Sequence, residues 1–218
     1  MKAGDIVKLI GIFISLLAIS SLACAQDCVP SRRTFRQPVT STDGRYRVSN
    51  VFCSDRAHEG ELVLVLRNIK SGEHRILYTY NRDATVVWSP DGRWIAINDF
   101  AGSDYTNNLL VSIDRSLPSI DLKERLLRSE PKQSVLRSDH LYLAVSEWKS
   151  QNEMELLAYG HDSERRISFC RCFLMSLKGR VQQCQLPEAR DSEDYCVKLE
   201  IEIEKGRHTV NAHSDSAR

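Results

Sequence analysis

Three stretches of this chain can be laid over one another without a gap. They are VTSTDGRYRVSNVF at 39–52, VWSPDGRWIAINDF at 87–100 and VLRSDHLYLAVSEW at 135–148, spaced by 48 residues both times. Val39, Val87 and Val135 align, as do Asp43, Asp91 and Asp139. Two columns are wholly aromatic: Tyr46, Trp94 and Tyr142, then Phe52, Phe100 and Trp148. Aromatic residues make up 7% of the chain, so two such columns point to a structural repeat. A fixed period of this length is the mark of stacked supersecondary units, each unable to bury its apolar face alone.

Within a unit the pattern reads as strands. Asp91-Gly92 marks a tight turn, and Pro90 stiffens its approach. Trp94, Ala96 and Asn98 then alternate with Ile95, Ile97 and Asp99, which suits a strand buried on both faces at its start. In the first unit a hairpin over residues 62–69 and 74–80 flanks Ser71-Gly72. Tyr78 and Tyr80 are assigned to one face with Ile76, as core or inter-sheet residues. Residues 85–88 form a fourth strand leading into the next turn. In the second unit residues 119–128 fit a short helix as well as a strand, with Ser119 able to cap the helix. Near the end, Tyr195, Val197, Leu199, Ile201 and Ile203 alternate with charged residues, a clean strand over 195–204.

Four strands per 40–50 residues, with an aromatic and an Asp-containing turn, characterise a propeller blade. The stretch Trp88-Ser89-Pro90-Asp91-Gly92-Arg93-Trp94-Ile95-Ala96-Ile97 resembles the repeat of TolB-like and related WD40-like β-propellers. That resemblance implies an all-β chain. With three visible copies, where propellers have four to eight blades, it implies a small, incomplete or irregular propeller-like stack of antiparallel sheets. Terminal strands and disulfides would cover the exposed edges. The motif is structural and carries no catalytic residue.

The N-terminus directs where such a fold goes. Lys2 and Lys8 precede an uncharged apolar run at 9–19, and Ala23-Cys24-Ala25 supplies small residues at a cleavage site. This is the pattern of a secretory signal over residues 1–25. It leaves a propeller-like domain at 26–205 and a polar tail at 206–218. Ser21-Leu22-Ala23-Cys24 also resembles a bacterial lipoprotein box, with Cys24 as the lipid attachment point. Removing residues 1–25 takes away Lys2, Lys8 and Asp5 and leaves 28 basic and 28 acidic side chains. A neutral chain with no basic half argues against nucleic acid, and against a membrane surface unless Cys24 is lipidated.

In an oxidising compartment the remaining cysteines, Cys28, Cys53, Cys170, Cys172, Cys184 and Cys196, read as up to three disulfides. One pair follows from counting along a hairpin around Lys178-Gly179. If Ser176 opposes Arg180, Cys172 opposes Cys184, within reach of a bridge. Cys28–Cys53 and Cys170–Cys196 are then left over. A four-thiolate zinc site at Cys170, Cys172, Cys184 and Cys196 lacks the usual paired knuckles, and neither metal nor cofactor is expected.

No G-x-S-x-G string is present, and His58-Glu59 is not followed by the second histidine of H-E-x-x-H. The most suggestive polar stretch is 98–108, NDFAGSDYTNN. Asp99, Asp104 and Asn107 carry the oxygen ligands that calcium takes, without EF-hand spacing; any solvated loop has this composition too. Asp99, Asp104, Tyr105 and Asn107 are the candidate binding residues. The corresponding loops, 54–60 and 149–153, are expected to open on the same side. The expected function is a secreted or periplasmic, non-catalytic module binding a protein or peptide of the cell envelope. A secreted hydrolase with a carboxylate site and a structural envelope lipoprotein are the alternatives.

Overall fold

The first two Asp-Gly turns fold alike, bond for bond. The computed structural model describes residues 28–30, 38–53, 61–103, 105–164 and 166–186. In the first turn the Ser41 hydroxyl donates to Asp43 Oδ1 (2.7 Å) and accepts the Tyr46 N–H (2.9 Å), while the Arg45 N–H donates to Asp43 Oδ1 (2.9 Å). In the second, the Ser89 hydroxyl donates to Asp91 Oδ1 (2.7 Å) and accepts the Trp94 N–H (2.9 Å), and the Arg93 N–H donates to Asp91 Oδ1 (3.1 Å). Gly44 and Gly92 stand at φ 70° and 66°, the left-handed region that a Cβ disfavours. Serine, aspartate and glycine each have a distinct task in the turn. The third copy has Arg137 in place of the serine and His140 in place of the glycine, and the turn does not form there. Residues Ser134–Arg137 make a 3-10 turn instead.

The strands form three antiparallel sheets. In the first, β1 (Cys28–Pro30) and β2 (Val39–Thr40) lie end to end along β3 (Tyr46–Cys53), followed by β4 (Glu61–Asn68) and β5 (His74–Tyr80). The second runs β6 (Ala84–Trp88), β7 (Trp94–Asp99), β8 (Asn107–Ser112) and β9 (Ile120–Asp121). The third runs β10 (His140–Ser150), β11 (Glu153–Asp162), β12 (Ile167–Ser176) and β13 (Val181–Cys184). Each is a meander of four strand positions. The chain is therefore a propeller-like stack of sheets, as the repeat implies.

Several expectations are corrected. The element at 119–128 is both: β9 takes two residues, then helix α1 spans Leu122–Ser129. Its cap is Asp121, whose carboxylate accepts the Glu124 N–H at 2.8 Å, and not Ser119. Ile76 does not share a face with Tyr78 and Tyr80. A register shift where Leu64 and Val65 meet β5 pairs Leu64 with Tyr78 and Val65 with Ile76. The extra residue breaks the two-residue period on which the count relied. Tyr78 and Tyr80 join the core between the first two sheets, and Ile76 lies with Val51, Val63 and Val65 on the far face.

The larger correction is one of phase. The 48-residue spacing sets β10 level with β3 and β7, the second strands of their sheets. In the fold β10 is the first strand of its sheet and takes the place of β6. Val145 is held by Asn98, which pairs with Thr85, and the Trp148 indole reaches Val87 O (3.3 Å). Leu141, at the other end, forms a parallel bridge with Tyr105. So β10 runs alongside β6 in the same direction. The α1 and 3-10 segments between β9 and β10 supply the additional chain.

Two cores hold the stack. Ile95 and Ile97 of β7 face Val48, Leu64, Leu66 and Trp88 between the first and second sheets. Ala96, on the opposite face of the same strand, joins Leu110, Leu122, Leu126, Leu143, Leu156 and Phe173 between the second and third. The uninterrupted apolar character of residues 94–97 follows from this double burial. Residues 1–25, the strand expected at 195–204, the tail, Cys196 and the 54–60 loop lie outside the described residues.

Candidate functional site

The stretch 98–108 leaves β7, turns and returns into β8. Most of its polar side chains point inward. Asn98 (0% exposed), Thr106 (1%) and Asn108 (1%) are buried, and together they grip the backbone of β10. Asn98 Oδ1 accepts the Val145 N–H (2.8 Å) while its Nδ2 donates to Val145 O (3.0 Å). Thr106 Oγ1 accepts the Leu143 N–H (2.8 Å), and Asn108 Nδ2 donates to Leu143 O (2.7 Å). Asn108 Nδ2 also reaches Asn98 Oδ1 (3.2 Å), so the two amides orient each other. Four backbone groups on the free edge of β10 are thus satisfied by side chains where a strand would otherwise be needed.

By composition the stretch matches a solvated loop, and Asn98, Thr106 and Asn108 are not among the candidate residues the sequence offers. A signal was present. Asn98 continues the row of Trp94 and Ala96, and Asn108 shares a row with Leu110, so both interrupt an apolar face. A polar residue in a buried row must find partners.

Asp99 is also buried, 3% exposed. Its Oδ2 accepts from the Tyr78 hydroxyl (2.7 Å) and from Asn107 Nδ2 (3.1 Å); its Oδ1 has no hydrogen-bond partner. Burial, and then the hydrogen bond to Asp99, push the Tyr78 phenol well above its ordinary range. Tyr78 therefore stays protonated and donates at all physiological pH. Asn107 directs its N–H donors at Asp99, the opposite of a shared oxygen-ligand arrangement for a cation. Asp104 lies outside the described residues. Among the described residues no three His, Cys, Asp or Glu side chains converge as a metal site.

Of the four candidate residues, the structure brings Asp99 and Asn107 together and leaves Tyr105 at the surface, 44% exposed. The loop carrying Tyr105 is fastened at several points. Thr106 and Asn108 tie its return to β10, and the Tyr142 hydroxyl donates to Ser103 O. The 149–153 stretch does not match it. Lys149 and Ser150 end β10, Glu153 begins β11, and only Gln151 and Asn152 turn. Because β10 follows β6, this turn sits at the Ser89–Arg93 end of the stack, opposite the 100–106 loop. The expectation that the two open on one side fails with the phase of the third sheet.

The third sheet carries the hairpin bridge. Cys172 stands opposite Cys184 and Leu174 opposite Gln182, and the two cysteines form a disulfide with Cα atoms 5.1 Å apart. Cys170 is disulfide-bonded as well. The backbone of β1 sets Cys28 opposite Cys53. A concavity of about 320 Å³ opens beside the hairpin bridge, lined by Cys170, Arg171, Cys172, Gln183, Cys184, Gln185 and Leu186.

No protein-family model matches the chain, and no curated protein matches it. Solved structures do. Pyrococcus horikoshii acylaminoacyl peptidase is similar over 70% of this chain and 25% of its own length, at 13% identity and a TM-score of 0.44. The β-propeller domain of the Trilobed protease from Pyrococcus furiosus is similar over 69% of this chain and 43% of that one, at 9% identity and 0.47. TolB from Acinetobacter baumannii is similar over 67% of this chain and 31% of its own, at 11% identity and 0.38. The chain spans between a quarter and under half of the length of these proteins.

Proposed function

We propose that the chain is an exported, non-catalytic binding protein that presents the 100–106 loop to a polypeptide of the cell envelope. One observation carries the reading: Tyr105 is half-exposed on a loop whose return is fixed by buried hydrogen bonds from Thr106 and Asn108 to Leu143, and whose outward limb is held at Ser103 O by the Tyr142 hydroxyl at the surface. An aromatic side chain held on a rigid mount loses little freedom on binding, which favours its use as a contact residue. Of the two carboxylates in this stretch that a hydrolase would draw on, Asp99 is buried and engaged by Tyr78 and Asn107, and Asp104 lies outside the described residues. Export is supported by the signal-like segment at 1–25, and the Cys172–Cys184 disulfide is compatible with it.

The test is affinity purification of the tagged mature chain from gently solubilised envelope, alongside the Tyr105→Ala variant. A stoichiometric partner that the variant fails to retain is the expected result. A partner held equally by both, or a chain recovered alone, removes the loop from its role and makes substrate screening the next step. Palmitate labelling that depends on Cys24 separates a lipoprotein from a freely secreted form.

A further inference from the structure

The third sheet is apolar on both faces. Its inner face meets the second sheet. Its outer face gathers Tyr142, Ala144, Leu157, Tyr159 and Cys172, with Phe100 from the end of β7. Tyr142 and Tyr159 stack there with centroids 5.4 Å apart. Ala144, Leu157 and Tyr159 are 0%, 1% and 6% exposed, yet among the described residues Phe100 is the one side chain that this cluster receives from another sheet. A blade face this apolar needs a cover.

We propose that the chain's own C-terminal segment is that cover, fastened by a Cys170–Cys196 disulfide. Three observations converge on it. Leu186, where the described chain ends, already packs against this face and lines the same concavity as Cys170, so the following residues start there. Cys170 sits on this face and is disulfide-bonded. Cys172 and Cys184 are joined to each other, and Cys28 stands opposite Cys53, which leaves Cys196 within the domain. The ten residue steps from Leu186 to Cys196 reach roughly 33 Å when extended, ample for a return to Cys170. Beyond Cys196, Val197, Leu199, Ile201 and Ile203 form one apolar row, and Lys198, Glu200, Glu202 and Glu204 form one charged row. That is the pattern of a strand with one dry and one wet face. Cys196 itself falls in the charged row, so the bridge forms where the segment enters the face, ahead of Val197.

The inference does not rest on the loop reading, and its test is separate. Arg171 divides Cys170 from Cys172, so trypsin acting on the unreduced chain resolves the two bridges. Peptide 167–171 is expected to be linked to 191–198, and 172–178 to 181–190. The cover is read by nitration of Tyr159 followed by mass spectrometry. Tyr159 should be protected in the unaltered chain and react several-fold faster in Leu199→Asp with Ile201→Asp, a variant whose Cys172–Cys184 bridge reports that the sheet still folds. Linkage of 167–171 to a peptide holding Cys28 or Cys53, or a free Cys196 thiol, would overturn the bridge. Unchanged Tyr159 protection in the double variant overturns the cover. Protection of the unaltered chain that disappears on dilution assigns the face to a second copy and overturns it equally.

Discussion

The two joints of the stack are built from the same strand pattern but held by different forces. Between the first and second sheets the repeat is in phase, and the contact is mainly apolar side chain on apolar side chain, with the Tyr78–Asp99 and Arg75–Ser112 hydrogen bonds beside it. The two Asp-Gly turns stand side by side, so that a Cβ on Gly92 would lie 2.7 Å from an Asp43 carboxylate oxygen. Between the second and third sheets the phase has slipped by one strand, and a bare strand edge faces the neighbour. There Asn98, Thr106 and Asn108 do what a partner strand does elsewhere. Both joints share one device. The Trp88 indole reaches Val39 O (3.4 Å) and the Trp148 indole reaches Val87 O (3.3 Å), and those two valines occupy the same place in the repeat. The acceptor position is kept while the donor comes from a different part of the repeat. A repeat can thus lose its register and keep its stacking, provided the exposed backbone is answered by side chains.

The comparison makes unequal demands on single residues. Asn98→Ala should cost most. It strands the Val145 N–H and C=O in a dry joint, and a buried unsatisfied group costs about 1–3 kcal/mol, so about 3 kcal/mol is expected in urea unfolding. Thr42→Val, which removes the 3.4 Å bond to Ser89 O across the first joint, should cost under about 0.5 kcal/mol. Equal losses would erase the distinction between a polar and an apolar joint. Next, replacing Cys172 and Cys184 together by serine opens a short loop and should cost about 2–3 kcal/mol. Amide exchange should then quicken in β12 and β13 and stay unchanged in β3 and β7; a uniform rise would mean that the sheets do not behave as separable units.

A third pair of variants probes the turns. Gly44→Ala enters open space and meets only the left-handed backbone penalty, about 1 kcal/mol. Gly92→Ala meets the same penalty and the Asp43 carboxylate, and should cost about 1 kcal/mol more. If the two are equal, the turns do not press on each other in solution. The smallest effect concerns pH. Burial raises the Asp43 pKa, but the Arg45 N–H, Ser41 and the Arg45 guanidinium outweigh it and hold the carboxyl below its ordinary 3.8. A depressed carboxyl stabilises the fold above its unfolded pKa and loses that contribution as pH falls through the folded one. The first turn should loosen only below about pH 3.8, and Asp43→Asn should flatten that part of the stability curve, measured by acid titration of the thermal midpoint.

The features visible in the sequence are those written locally. Ser41, Asp43 and Gly44, and their counterparts 48 residues on, specify the turn through bonds spanning five residues or fewer. The hairpin around Gly179 fixes Cys172 opposite Cys184 by simple counting. What stayed hidden depends on partners far along the chain. Alternation looks the same in a first strand and a second strand, so residues 140–150 could be placed as a strand but not in their sheet position. The aromatic column supported the wrong phase because Trp148 does serve the stack, from another position. Asn98 and Asn108 have the composition of a wet loop, and only the backbone of β10, some 35–47 residues later, reveals their task. The bulge beside Leu64 hid the true face of Ile76 for the same reason: one inserted residue inverts every count that follows it.

The grip on β10 also suits one order of assembly. A nascent chain exposes the second sheet before β10 has been synthesised, so the side-chain clasp is in place when the strand edge arrives. Synthesis in the reverse order, as in a circular permutant that begins at β10, would leave Leu143 and Val145 uncovered while the rest of the chain was still being made, an open edge of the kind that recruits neighbouring molecules. With the clasp on the earlier sheet, the direction of synthesis favours early covering of this edge.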